Sequence, residues 1–492
     1  MGDGSGLARG QLGGAAPAAW TRTTIGYNRV TRGRALVIVS NGLYLHQLER
    51  RPLITFAAIG CGLAVAYTFA VTLFPSADGR IIEGDAVQYY AYLRSLVFDQ
   101  DVNFINDYQL LYASDGSSNV WLDTTTETGH AVNLMSIGPA LLWLPFFLVA
   151  CGVVALLRTA GAVIAFDGIS APFQLSAGLA GIAYATLGAY LCYRACARFW
   201  PPAASLWGTL VAWLATPAIY YSLVSPAYSH ATSLFVVALF VWTWLRTAGD
   251  NRASRYALLG AIVGLAALVR WQNVTILILP MTELVRELRD DRTSLRSAAV
   301  QVGVLGAASL AAFLPQMFAW KQIYGHWLLT PQGEGFMRWM DPQIGAVLFS
   351  LNHGLFSWTP AVLVAVFGLA VLVARYPLVG WNSVAVVLIA VYINASVADW
   401  WAGEAYGARR FIGSTPFFAL GLAALFSTTF WTTRARLLRA TAACLIVYNL
   451  LFLAQYQLFM RGYEGVPYPV TAKQILIDRL IVPWRAIGAA FD

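Results

Sequence analysis

The sequence predicts an all-α, polytopic membrane protein with about 11–13 transmembrane helices and surface helices in a large first external loop. Composition and patterning support this prediction. The chain has 492 residues, of which 58% are hydrophobic and only 11% are charged, and the apolar residues lie in long runs. A soluble domain is about 45–50% apolar and about 25% charged. The composition therefore excludes a water-soluble enzyme, a disordered chain and a secreted scaffold held by disulfides.

The candidate spans follow from the thickness of a bilayer, which a helix of about 20 mostly apolar residues can cross. Such runs lie at roughly 52–74, 137–157, 172–193, 204–222, 231–246, 255–271, 273–288, 300–320, 355–374, 382–398, 411–430 and 437–457. They define a transmembrane domain at 52–458, between a basic N-terminal segment at 1–51 and a C-terminal tail at 459–492. The runs do not alternate polar and apolar residues, which disfavours membrane-spanning strands.

Charge predicts which side of the membrane each end of the first span faces. Residues 1–51 hold seven arginines and two acids, whereas residues 75–133 hold nine acids and two arginines. Because cytoplasmic segments are enriched in basic residues, we expect the N-terminal segment in the cytoplasm and the 75–133 loop outside. The Arg50-Arg51 pair also allows a twin-arginine export signal. The net charge of +8 then reflects orientation, and no nucleic-acid partner is expected.

Later in the chain, charge and a strict count of crossings disagree. Arg194 and Arg198 indicate a cytoplasmic segment, yet crossings that alternate from the first span place this segment outside. Either the run at 137–157 does not fully cross the membrane, or another span is broken.

The external loop contains the first candidate for chemistry. Its element Glu83-Gly84-Asp85 opens a predicted helix with Tyr89 and Leu93 on one face, and we expect this helix to lie at the membrane surface. An acid held at the membrane boundary can take a proton from a hydroxyl nucleophile, so Asp85 is a candidate general base. The alternative is that the two acids only stabilise the start of the helix through its dipole.

Further along the same loop, Asp99 and Asp101 form an aspartate-x-aspartate pair. Carboxylate oxygens are the ligands that hard divalent cations prefer, so this pair is a candidate metal site. The alternative is a polar turn without a metal. The sequence has no Walker loop, no dinucleotide-binding glycine fingerprint and no histidine-rich metal box, so a nucleotide cofactor is not expected.

Cationic residues beside apolar segments are the remaining candidates. Arg409 and Arg410 lie with Glu404 in a loop between two predicted spans, and Arg270 lies within hydrophobic sequence. Guanidinium groups at a membrane boundary suit the recognition of phosphate through paired hydrogen bonds. The alternative is that they extend to the lipid headgroups without a specific partner. His230, between two spans, is a candidate for binding or proton transfer, or else a hydrogen-bond donor at a helix end.

Together these features resemble the GT-C superfamily of integral-membrane glycosyltransferases, in particular bacterial relatives of the protein O-mannosyltransferases and of the lipid A aminoarabinose transferase. The resemblance covers residues 50–458. It depends mainly on the Glu83-Gly84-Asp85 element with Tyr89, Tyr90 and Arg94, and the late Trp-Trp-x-Gly and Gly-x-Arg-Arg elements support it. It implies transfer of a sugar from a polyprenyl-phosphate donor to a hydroxyl of a lipid, a surface glycan or a protein, with inversion at the anomeric carbon.

The resemblance also implies roles for individual residues. Asp85 would be the catalytic base, and the donor phosphate would be bound by Arg409, Arg410 and Arg270. Substrate positioning would fall to Glu83, Tyr89, Arg94, His230 and Glu404. Some members use a divalent cation and others do not, so Asp99 and Asp101 leave metal use open. The implied location is the bacterial inner membrane, with the active site facing the periplasm.

The main alternative is a transporter or flippase of lipid-linked saccharides. Such a protein would distribute acids and bases along mid-membrane positions, often in interrupted helices. The acids of this chain concentrate in one external loop, which favours an enzyme. A polysaccharide polymerase or ligase usually carries its large polar loop late in the chain, whereas this chain carries its largest loop first.

Overall fold

The structure is a computed structural model that describes residues 49, 51–74, 79–112, 120–461 and 470–491. The described residues belong to one compact unit. Of the predicted cytoplasmic segment at 1–51, only Glu49 and Arg51 are among them, so the rest of that prediction lies outside the described residues.

The predicted all-α class is confirmed, since the described residues form helices and only two isolated β-bridges. The α-helices are α1 (Pro52–Leu73), α2 (Asp85–Arg94), α3 (Ile105–Leu111), α4 (Val120–Asp123), α5 (Gly138–Thr159), α6 (Ala171–Cys196), α7 (Pro202–Leu214), α8 (Tyr220–Leu223), α9 (Ser229–Arg246), α10 (Ala253–Val269), α11 (Ile278–Arg289), α12 (Leu295–Tyr324), α13 (Ile344–Phe349), α14 (Leu355–Trp358), α15 (Pro360–Arg375), α16 (Pro377–Ala395), α17 (Thr415–Phe426), α18 (Thr429–Thr432), α19 (Ala435–Gln455), α20 (Ala472–Leu476) and α21 (Val482–Phe491). Short 3₁₀ segments occur at Pro217–Ile219, Trp271–Leu277, Arg409–Ser414 and Asp478–Ile481, and π-helical turns at Ser95–Asp99 and Tyr456–Met460.

The described helices support a multi-pass membrane protein, with fewer long spans than predicted. Six helices are long and apolar enough to cross a bilayer, and a seventh span results if the bent pair Pro202–Leu214 and Pro217–Leu223 counts as one. Fewer of the described helices meet this length criterion than the 11–13 spans predicted, because several apolar runs form short or interrupted helices. The run at 273–288, for example, is divided between a 3₁₀ segment and the charged, 12-residue helix α11.

Helices α1 and α6 pack antiparallel. Tyr67, near the end of α1, lies against Gly178 near the start of α6. Phe56, near the start of α1, has its ring 6.0 Å from the ring of Tyr190 near the end of α6. Arg194 therefore lies at the end of the bundle where α1 begins, as its charge predicted.

The segments before and after helix α5 both lie at the opposite end of this pair, beside the external loop. Before α5, the Asn133 side-chain amide donates to the Gln88 carbonyl at 2.9 Å. After α5, the Tyr90 hydroxyl donates to the Gly168 carbonyl at 2.7 Å. The run at 137–157 therefore does not carry the chain from one end of the bundle to the other, which explains why the strict count of crossings misplaced Arg194.

Helix α2 does not lie at the surface, contrary to the prediction for 83–96. Every residue from Ala86 to Arg94 is buried. The Tyr89 ring meets Trp143 of α5 edge-on, with ring centroids 6.3 Å apart, and the Tyr90 ring meets Phe147 at 5.9 Å. The helix is therefore enclosed by α5 and the returning loop, and only its first residue, Asp85, remains partly exposed.

Close packing of α10 on α12 positions one side of the site. Gly260 and Gly264 are four residues apart, and a Cβ at either position would overlap backbone of α12. Small residues at this spacing allow two membrane helices to approach closely. The Ser309 hydroxyl donates to the Gly260 carbonyl at 3.0 Å across this contact. α10 ends at Val269, and Arg270 follows in an extended conformation.

Candidate active site

The candidate base, Asp85, is the first residue of α2, and Gly84 determines how the chain enters that helix. Gly84 has φ +57°, a conformation that a residue with a Cβ adopts only with strain. A Cβ at this position would also overlap the Tyr228 hydroxyl. The backbone before Asp85 therefore requires glycine for two separate reasons.

Asp85 pairs with Arg409. The Asp85 Oδ2 atom lies 2.8 Å from the Arg409 Nη1 atom, and 35% of the Asp85 side chain remains exposed. The Arg409 guanidinium also lies over the Tyr228 ring, 5.7 Å from its centroid. Burial opposes the charge of Arg409, but Asp85 and nearby tyrosines outweigh burial and raise the pKa of Arg409, so the guanidinium stays charged.

The next residue makes a matching pair with a second aspartate. Arg410 Nη2 donates to Asp399 Oδ1 at 2.8 Å, and Arg410 Nη1 donates to the Asp399 carbonyl at 2.7 Å. Consecutive arginines of one 3₁₀ segment thus hold one carboxylate from the first loop and one from the late loop. This arrangement joins two regions that lie far apart in the sequence.

A cavity of about 250 Å³, which we call the arginine cavity, lies beside these pairs. Its charged lining consists of three guanidinium groups and two carboxylates, namely Arg270, Arg409, Arg410, Asp85 and Asp399. Cations therefore outnumber acids, and the cavity suits an anionic ligand. Trp320 also lines the cavity, and its indole N–H makes no hydrogen bond to any described residue.

Two further predicted residues, Tyr89 and His230, also line the arginine cavity. The Tyr89 hydroxyl lies 2.8 Å from the Ser229 hydroxyl oxygen, to which Arg270 Nη1 donates at 3.1 Å. His230 is buried, lines the cavity, and has its ring 4.5 Å from the Tyr221 ring. The start of α9 thus connects Tyr89 of the external loop to Arg270 at the end of α10.

An apolar groove of about 520 Å³ adjoins the arginine cavity. It runs between α10, α11 with its preceding 3₁₀ segment, and α12. Its lining is apolar except for Ser309. Three residues, Ala267, Trp271 and Phe313, line both the groove and the arginine cavity, so the two spaces adjoin at these side chains.

A second cavity, of about 420 Å³, lies on another side of the Asp85–Arg409 pair, and we call it the polar cavity. It shares Asp85, Asp399 and Arg409 with the arginine cavity. Its other charged residues are Glu83, Glu404 and Arg461. Two of the residues predicted to position a substrate, Glu83 and Glu404, therefore lie here.

Arg94 lines neither cavity, and its predicted role in positioning a substrate is corrected. Its Nη1 atom lies 2.6 Å from Asp99 Oδ2 and 2.9 Å from Asp107 Oδ1, and its side chain is buried. It therefore holds the external loop together instead of facing a ligand.

The predicted metal site at Asp99 and Asp101 is not formed. Asp99 binds Arg94, while Asp101 Oδ1 accepts hydrogen bonds from the Ser95 hydroxyl at 2.6 Å and from the Asn103 backbone at 3.0 Å. No group of three or more His, Cys, Asp or Glu side chains in the described part of the chain is arranged to hold a metal. The contacts fit the alternative, a polar turn.

Asp399 and Tyr228 are among the residues of the site that the sequence analysis did not identify. Asp399 faces both cavities, and Tyr228 lies beneath Arg409 and beside Gly84. Asp399 could have been identified from the sequence, because it lies in the same loop as Glu404 and the paired arginines. Tyr228 could not, since it is one of 23 tyrosines and belongs to no recognisable motif.

A comparison of the chain with models of known protein families and with curated proteins finds no match.

Proposed function

We propose that this chain is a membrane glycosyltransferase that moves a sugar from a polyprenyl-phosphate donor to a hydroxyl acceptor on the external side of the membrane. The membrane would be a bacterial inner membrane, with the reaction on its periplasmic face. Asp85 would act as general base, and Arg409, Arg410 and Arg270 would bind the donor phosphate.

The observation that carries the proposal is that the apolar groove adjoins the arginine cavity at Ala267, Trp271 and Phe313. A polyprenyl phosphate combines a long apolar chain with a single anionic head. The groove offers an apolar surface for such a chain, and the adjoining cavity offers three guanidinium groups for the head.

In the proposed reaction, the donor phosphate binds in the arginine cavity and competes with Asp85 for Arg409. The released carboxylate accepts the proton of the acceptor hydroxyl as its oxygen forms a bond to the anomeric carbon. The bond between the anomeric carbon and the phosphate oxygen breaks, and its electron pair leaves with polyprenyl phosphate. The guanidinium groups stabilise the charge that grows on that oxygen. Attack opposite the leaving group inverts the anomeric centre.

The test is a screen of purified protein with a panel of polyprenyl-phosphate sugars in detergent or nanodiscs, with free polyprenyl phosphate as the readout. We expect at least one donor to be consumed in the presence of an extract of cell-envelope acceptors. The matched nucleotide sugars, which lack a lipid chain, should give no product. Consumption of nucleotide sugars alone would contradict the lipid-donor assignment.

A transporter of lipid-linked saccharides remains the alternative, and the same preparation distinguishes it. A flippase would move a labelled donor between the leaflets of a vesicle and leave the bond between sugar and phosphate intact. A glycosyltransferase would break that bond whether or not the donor changes leaflet.

A further inference from the structure

The polar cavity has a lining unlike that of the arginine cavity. Four carboxylates line it, from Glu83, Asp85, Asp399 and Glu404, against the two guanidinium groups of Arg409 and Arg461. Acids therefore outnumber cations, which reverses the balance on the donor side. Such a lining repels a phosphorylated or otherwise anionic acceptor and tolerates a neutral or cationic one.

Tyrosines supply much of the remaining surface. Tyr67, Tyr220, Tyr228 and Tyr456 all line the polar cavity. Flat rings of this kind offer apolar faces for the C–H surface of a ring-shaped ligand. Ionised carboxylates accept hydrogen bonds and donate none, so several of them together suit a ligand that is rich in O–H donors.

The polar cavity is separate from the two apolar grooves of the described residues. It shares no residue with the groove that adjoins the arginine cavity, nor with a second apolar groove between α1 and α6. Its volume of about 420 Å³ falls in the usual range of small-molecule pockets, about 300–1,000 Å³.

We infer that the acceptor is a saccharide without anionic groups near its reacting hydroxyl, and that it binds in the polar cavity with Glu83 and Glu404 as its hydrogen-bond acceptors. This inference rests on the proposed function, and it selects the glycan from the three acceptor classes that the sequence allowed. Of the two acids, Glu404 is the sharper probe, because its carboxylate makes no hydrogen bond or ion pair with any described residue. Glu83 lies 3.8 Å from Arg461.

The experiment supplies cell-envelope membranes that contain the full chain with polyprenyl-phosphate donors labelled in the sugar. Membranes with the Asp85→Asn variant serve as the reference. The labelled product is then divided into solvent-extracted lipid, protease-released peptide and protease-resistant glycan. We expect label that depends on Asp85 in the neutral glycan fraction. Label in lipid, in peptide or in an anionic glycan would overturn the inference and leave the glycosyltransferase proposal standing. If no fraction carries label, both the inference about the acceptor and the glycosyltransferase proposal are overturned.

Substitutions then test the cavity itself. With the labelled glycan as acceptor, Glu404→Gln should raise the acceptor KM about tenfold, the usual loss for a hydrogen bond to a charged group. The KM for the donor should not change, since Glu404 lies outside the arginine cavity. Asp290→Asn, which alters an acid outside both cavities, is the matched control. An unchanged acceptor KM in both Glu404→Gln and Glu83→Gln, or a parallel rise in the donor KM, would overturn the assignment.

Discussion

Asp85 and Arg409 are 2.8 Å apart, and this ion pair joins the opening of the first external loop to a loop more than 300 residues later. It stands where the arginine cavity and the polar cavity meet. A ligand in one cavity therefore reaches the same two side chains as a ligand in the other. The proposed reaction needs this geometry, because the base, the acceptor oxygen and the leaving phosphate must all lie close to the anomeric carbon.

Arg410 should contribute to sugar transfer through its contact with the donor phosphate. Arg410→Ala should lower the rate of sugar transfer by about 100-fold or more, because a lost donor to developing charge costs about 3–4 kcal/mol. Arg434→Ala, a change of an exposed arginine whose guanidinium lies over Phe430, is the matched control and should keep the wild-type rate. Steady-state kinetics with a fixed acceptor measure both. Equal rates in the two variants would argue against phosphate binding by Arg410.

The apolar groove should determine the preference for a long lipid chain. Gly306 and Gly303 lie on the same helix, α12, and a Cβ at either position meets no atom within 4 Å, but only Gly306 lines the groove. Gly306→Trp should raise the KM for a donor of full chain length and affect a short-chain analogue much less. Gly303→Trp should leave both KM values unchanged. If the two variants behave alike, the lipid chain lies elsewhere.

Gly84 should be intolerant of a side chain. Gly84→Ala places a residue with a Cβ at a positive φ, and this backbone strain costs about 1–3 kcal/mol. The added methyl group also overlaps the Tyr228 hydroxyl. We expect a large loss of transfer activity, measured as kcat, because Asp85 is the next residue. Adding Tyr228→Phe removes the steric conflict but not the strain, so the double variant should recover part of the activity. No recovery would show that the conflict with Tyr228 is not what disturbs Asp85.

Asp107 should make the stability of the external loop depend on pH. It is fully buried, and burial raises its pKa to about 6, despite the opposing effect of Arg94. Because the folded state then binds the proton more tightly than the unfolded state, stability should fall as pH rises through the interval between about 4 and 6. Melting temperatures of the purified protein should therefore drop more between pH 5 and pH 7.5 than those of Asp107→Asn. Parallel melting profiles would contradict this assignment.

The sequence predicted the helical membrane class well, because a bilayer imposes its length and apolarity directly on the chain. It also predicted most of the charged residues that line the two cavities. Asp85, Arg270 and Arg409 stand out because charged groups are rare in such a sequence and costly unless they have a partner. Their mutual arrangement was beyond sequence analysis, since no spacing reports that two loops so far apart meet.

The errors have physical causes as well. The 83–96 stretch has the pattern of a surface helix, yet α2 is enclosed because α5 and its following loop return over it. The sequence predicted that Arg94 positions a substrate. Asp99 and Asp107, which follow it closely in the sequence, instead form ion pairs with its guanidinium group. Asp99 accepts a hydrogen bond from that same arginine, and Asp101 accepts hydrogen bonds from the Ser95 hydroxyl and the Asn103 backbone. Partners close in the sequence thus hold all three of these side chains within the external loop.

The most direct test of the account compares wild-type protein with Asp85→Asn in one assay of free polyprenyl phosphate released from a lipid-phosphate sugar. We predict that the variant folds, with an unchanged melting profile, and binds the donor. Loss of the general base should lower release by about 10²–10⁴-fold. Release at the wild-type rate from the folded variant would contradict the central claim that Asp85 takes the acceptor proton.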